Sequence, residues 1–215
     1  MISFLIAGIW TIAFSPSVDP IVYRDVEKLS IRDTESDSSF QKFLDKNHFF
    51  ANLQYEPNDL KPIESDFTAN NSRKYKLREE VWIEFSDMAR HFWNDFSWKR
   101  KLSITTAYRS YWEQKYLLWS YCRDKKGQCA EAWASEHQAG LALDIWVNGK
   151  SLDNLSIQWL QNNAYKRGFH NTYQKGLEID GQIVEPWHRR YVWKDLAKEL
   201  YEKNLSFAER YYIEK

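Results

Sequence analysis

The sequence predicts an α+β domain in which several helices flank a small antiparallel sheet. Three observations carry this. Leu77, Val81, Phe85, Met88 and Phe92 recur at steps of 4, 4, 3 and 4, the period of a helix with one buried face. Leu102-Ser103-Ile104-Thr105 and residues 141–147 instead alternate with period two, as half-buried strands do. Helical and strand patterns also follow one another without the regular alternation of a parallel α/β sheet.

In chain order, residues 1–18 carry no charged side chain, and the run ISFLIAGIWTIAF at residues 2–14 is apolar apart from Gly8 and Thr11. A run of this length suits the apolar region of a secretory signal better than a membrane span, which takes about 20 residues. No Lys or Arg precedes the run and Ser15-Pro16-Ser17 is a poor cleavage site, so a removed signal and a retained N-terminal membrane anchor stand as alternatives. Both place the rest of the chain outside the cytoplasm. Residues 19–54 are polar and Ser-rich around RDTESDSS and read as a spacer, with a short helix near residues 40–50. The globular domain is expected over residues 55–203, opening at Tyr55-Glu56-Pro57-Asn58-Asp59-Leu60, and residues 204–215 read as a surface tail.

Within that domain Ser110 and Glu113 have the spacing of a capping box, which starts a helix directly after the strand near residues 102–108. A helix near residues 155–167 stops at Gly168, and residues 194–203 form the last one. Cys122 and Cys129 are spaced too widely for a CxxC pair. In an oxidising compartment they can close a small loop, worth about 2.5 kcal/mol on the loop-entropy account.

Thirty Lys and Arg balance thirty Asp and Glu, so the chain lacks the cationic surplus that nucleic-acid binding needs. Aromatic residues make up 17%, including 11 Trp; most belong to a core, and some can line a cleft for a polymeric ligand such as a wall glycan.

The chemistry concentrates in two segments. In Ser135-Glu136-His137-Gln138-Ala139-Gly140-Leu141-Ala142-Leu143-Asp144, Gly140 permits a tight turn into a strand. Leu141, Leu143, Ile145 and Val147 take one face of that strand; Asp144 takes the other, where it is available to a site. In Val184-Glu185-Pro186-Trp187-His188, Glu185 and His188 would oppose each other in a regular strand, but Pro186 marks a break that can bring them together. His137, Asp144 and His188 supply the neutral imidazoles and carboxylate of a catalytic zinc that keeps one position open. Arg109 sits beside the helix start that Ser110 caps, where backbone N–H groups and a guanidinium fork together favour an anion.

The pattern Ser135-x-His137-x-x-Gly140-x-Ala142-x-Asp144, followed by Glu185-x-Trp187-His188, resembles the zinc D-alanyl-D-alanine carboxypeptidases of the VanY type. Their superfamily includes dipeptidases, L,D-carboxypeptidases, phage endolysins and hedgehog domains. The likeness extends to Tyr108-Arg109-Ser110 with Gln114, and to Tyr55-x-Pro57-x-Asp59-Leu60. Ala107 stands where many relatives have Gly, and the Cys122–Cys129 stretch lies outside the family pattern. The resemblance implies one zinc ion per chain, held by His137, Asp144 and His188 on the sheet, with Glu185 as the base. It also implies Arg109 on the substrate or the developing oxyanion, and Ser135, Gln114 and Trp187 as substrate contacts. The implied partner is the peptidoglycan stem peptide, cut at its C-terminal D-alanine by a monomeric enzyme of the cell envelope. A peptidoglycan endopeptidase, an L,D-carboxypeptidase and a non-catalytic zinc-containing wall-binding domain are the alternatives.

Overall fold

The computed structural model describes residues 33–70, 72–125 and 127–213. The signal or anchor reading of residues 1–18, and the first part of the spacer, lie outside them. Among the described residues no helix is long and apolar enough to cross a membrane.

The expected α+β architecture is present. Strand β1 (Leu60–Pro62) pairs with β2 (Lys76–Arg78) in a two-stranded antiparallel ribbon. Helix α1 (Glu79–Asp95) follows, and its apolar stripe of Val81, Phe85, Met88 and Phe92 is wholly buried. Strand β3 (Leu102–Thr106), β4 (Ala142–Val147), β5 (Phe169–His170) and β6 (His188–Tyr191) form the main sheet in the order β3-β4-β6-β5, every neighbour antiparallel. Leu102, Ile104, Leu143 and Ile145 meet the α1 stripe in one core. Burying side chains of this size contributes about 1.5–3 kcal/mol each, which fixes the sheet's inner face and leaves the opposite face of β4 for Asp144.

Helix α2 (Tyr111–Leu117) begins at the expected capping box, with Ser110 and Glu113 bonded reciprocally, and continues through a wider-turned segment over Leu118–Cys122. Helix α3 (Asn154–Asn163) ends in a tight turn closed by Gly168 at φ +78°. A short α4 (Leu177–Asp180), then α5 (Lys194–Glu202) and α6 (Phe207–Ile213), complete the chain.

Two boundaries differ from the sequence reading. Among the described residues, packing already includes those from Asp33 onward, and no helix forms near residues 40–50. Phe43, Leu44 and Phe50 are buried: α5 and α6 enclose Phe43 in a second apolar cluster, while Leu44 and Phe50 join the main core. Phe207 and Tyr211 of α6 belong to that cluster, so residues 207–213 are not a loose surface tail.

Candidate active site

The ladder register makes the first contact. Asp144 on β4 and His188 on β6 pair directly, so their side chains share a face at about 5 Å between Cβ atoms, and Asp144 Oδ1 stands 3.2 Å from His188 Nδ1. His137 comes from the turn ahead of β4, whose Gly140 holds φ +67° in a position where a Cβ would press on Arg78 and Leu60 at 3.0 Å. His137 Nδ1 donates to the Ala107 carbonyl at 2.9 Å, which leaves Nε2 toward Asp144 Oδ2 at 3.6 Å. One ligand-type atom from each of His137, Asp144 and His188 lies within 4.8 Å of the others.

This donor set fits zinc. His188 Nε2 donates to Glu136 Oε2 at 2.9 Å, so each imidazole has its outer nitrogen tied to an acceptor and its inner nitrogen turned to the shared centre. Metal-binding histidines are oriented in this way, and two imidazoles with one carboxylate match an open catalytic set.

Glu185 reaches the same place because the chain turns at Pro186. His188 N donates to the Glu185 carbonyl at 3.1 Å, and Glu185 Oε2 lies 3.9 Å from His188 Nδ1. Buried Arg189 holds the turn by donating to the Pro186 carbonyl at 3.0 Å. Burial pushes the Glu185 carboxyl up to about 7; the charge of His188 opposes this, and Asp144 and Glu136 add to it. Burial lowers His137 to about 3 against the pull of Asp144. It also disfavours charge on His188, but the hydrogen bonds to Asp144 and Glu136 outweigh it and raise that imidazole to about 9. Burial opposes charge on Asp144 too, yet His137 and His188 hold it well below the usual carboxylate range.

These groups open into a cleft of about 340 Å³ that also receives Arg109, Gln114, Ser135 and Trp187. Arg109 donates to Gln114 Oε1, and burial lowers its pKa. Gln114 is buried with both ends of its amide engaged, Nε2 donating to the Ala130 carbonyl at 2.7 Å. It braces Arg109 from within the cleft wall. Ser135 is buried in that wall, and Trp187 stands half-exposed at the rim. Cys122 and Cys129 are joined in a disulfide, and Cys129 lines the cleft. A larger hollow of about 650 Å³ adjoins it across Tyr173 and Ala130 but reaches none of His137, Asp144 and His188.

Glu136 and Tyr173 are absent from the residues singled out in the sequence. Glu136 accepts from His188, from Thr172 at 2.6 Å and from Arg190 at 2.7 Å. Tyr173 lays its ring 4.6 Å from that of His188. An acid next to a candidate ligand was the available signal for Glu136; Tyr173 carried none.

The VanY family description, D-alanyl-D-alanine carboxypeptidase, matches residues 69–194, which hold all the groups above. The Bacillus subtilis protein YodJ, named as a carboxypeptidase, is 32% identical over 216 residues, covering 93% of this chain and 76% of that protein. A D-alanyl-D-alanine carboxypeptidase of Enterococcus faecalis is 41% identical over 93 residues, 40% of this chain and 35% of that one. Among solved structures, the LdcB LD-carboxypeptidase aligns with TM-score 0.70 and 29% identity over 81% of this chain and 86% of that one. A vancomycin-resistance D,D-pentapeptidase VanY in complex with Zn(II) shares the fold, with TM-score 0.66 and 22% identity over 80% of this chain and 98% of that one. The chain belongs to the VanY family of D-alanyl-D-alanine carboxypeptidases and is a peptidase.

Proposed function

We propose that the protein is a zinc-dependent carboxypeptidase that removes the C-terminal D-alanine from peptidoglycan stem peptides. The observation that carries this is the convergence of His137, Asp144 and His188 on one centre with Glu185 beside them. His137 through Nε2, His188 through Nδ1 and Asp144 through its carboxylate would hold one zinc ion per chain. Bound there, zinc supplies Lewis acidity, polarising the scissile carbonyl and acidifying a water.

The chain's own groups do the rest. Glu185 accepts the proton of the attacking water and returns it to the leaving amine; in the metal-free site burial raises its carboxyl to about 7. Arg109, braced by Gln114, grips the free carboxylate of the terminal residue with its planar fork. Ser135 and Trp187 shape the cleft around the peptide. The enzyme works outside the cytoplasm as a monomer, with residues 1–18 acting as signal or anchor, which accords with a disulfide in its cleft wall.

Metal analysis tests the core of this reading. The wild type is expected to hold about one zinc per chain, to lose turnover on chelation and to regain it with zinc. Full zinc occupancy in His188→Ala would remove His188 from the ligand set.

A further inference from the structure

Helix α2 and its continuation carry an exposed aromatic ridge that the peptidase chemistry does not use. Trp112, Tyr116 and Trp119, spaced at i, i+4 and i+7, share one face and are 59%, 66% and 64% exposed. Cations hold the rings without covering them: Lys115 Nζ lies 5.2 Å from the Trp112 ring centre and the Arg123 guanidinium 5.7 Å from that of Trp119. Soluble surfaces seldom gather apolar rings this way without a ligand to cover them. The ridge is also continuous with the cleft, because Leu117 and Tyr121 of the same helical segment line it.

We propose that this ridge binds the amino-sugar strand from which the stem peptide hangs. The inference rests on the stem-peptide reading above and extends it to the polymer. Flat aromatic faces suit the C–H faces of pyranose rings, and the neighbouring Lys115, Arg123 and Lys125 complement the carboxylates of the stem peptides that hang beside those rings. Length agrees as well. An extended stem of about five residues spans at most about 17 Å, and the seven residues of α2 rise about 10 Å before the wider-turned segment that follows. A stem whose far end sits at Arg109 thus keeps its sugar within reach of the ridge.

The test compares the full chain with its Trp112→Ala/Trp119→Ala double variant in three assays. These are turnover of a soluble stem pentapeptide, co-sedimentation with purified wall sacculi, and co-sedimentation with phosphatidylglycerol vesicles. The proposal expects soluble-peptide turnover to stay within about twofold while sacculus binding falls about tenfold or more. Added N-acetylglucosamine oligomers should quench the tryptophan fluorescence of the wild type more than that of the variant. Equal sacculus binding by both proteins would overturn the ridge as a glycan site. Loss of vesicle binding with sacculus binding intact would overturn it in favour of a membrane surface. Failure of the wild type on the soluble peptide would instead sink the peptidase reading, and the sedimentation result would still judge the ridge.

Discussion

Glu136→Gln isolates the contribution of a buried acid that is hydrogen-bonded to a candidate zinc ligand. Its two oxygens accept from His188, Thr172 and Arg190 at 2.9, 2.6 and 2.7 Å. The amide keeps the shape but makes one acceptor a donor, so either His188 Nε2–H or Arg190 faces an N–H group. Arg190 is wholly buried, and stripping one partner from such a pair costs about 3–5 kcal/mol. His188 loses the anchor that turns Nδ1 to the centre, and losses of this kind weaken metal binding about 10- to 100-fold. Urea unfolding of the metal-free protein reads the first effect, and competition against a chromophoric chelator well below the unfolding temperature reads the second. In the wild type burial opposes the Glu136 charge, but Arg190 and then His188 hold its pKa at about 2, so its stabilisation is full above 4.5 and fades as pH falls toward about 2. Wild-type zinc affinity in Glu136→Gln would refute the idea that this carboxylate orients His188.

Three further outcomes follow from the same geometry. Arg109→Lys should be nearly as damaging as Arg109→Ala because the fork is lost with charge kept, and amidating the substrate terminus should cost the wild type about 1.5–3 kcal/mol in kcat/KM; equal cleavage of free and amidated stems would move Arg109 to the oxyanion. Metal-free His188 holds its proton up to about pH 9, so zinc must displace it. Calorimetry in buffers of different ionisation heat should show proton release at pH 7 and affinity that rises with pH until about 9; pH-independent affinity would contradict this. Cys122→Ser/Cys129→Ser should lower stability by about 2.5 kcal/mol, read by urea unfolding, and should raise KM because Cys129 lines the cleft; unchanged KM would separate the loop from substrate binding.

Much of the site was readable because its residues lie in short, locally patterned stretches. The alternation that sends Leu143 and Ile145 inward also places Asp144 outward, and the break at Pro186 lets Glu185 and His188 meet despite their odd spacing. What the sequence hid depends on distant partners. Glu136 acquires its role only when β6 brings His188 and Arg190 beside it, more than fifty residues away. Residues 33–54 look like a spacer because their few apolar side chains show no period; Phe43 is buried by α5 and α6 from the far end of the chain. Gln114 reads equally well as substrate contact or surface residue until its amide is seen clamped between Arg109 and Ala130.

On the proposed mechanism Glu185 drives hydrolysis at a zinc centre that it does not itself hold. The most direct measurement is mass spectrometry of a defined stem pentapeptide incubated with wild type and with Glu185→Gln, each assayed for zinc. Loss of a single C-terminal alanine is expected with the wild type, and an intact peptide with a Glu185→Gln protein that still carries about one zinc per chain. Wild-type turnover by Glu185→Gln, or cleavage inside the stem in place of its end, would contradict it.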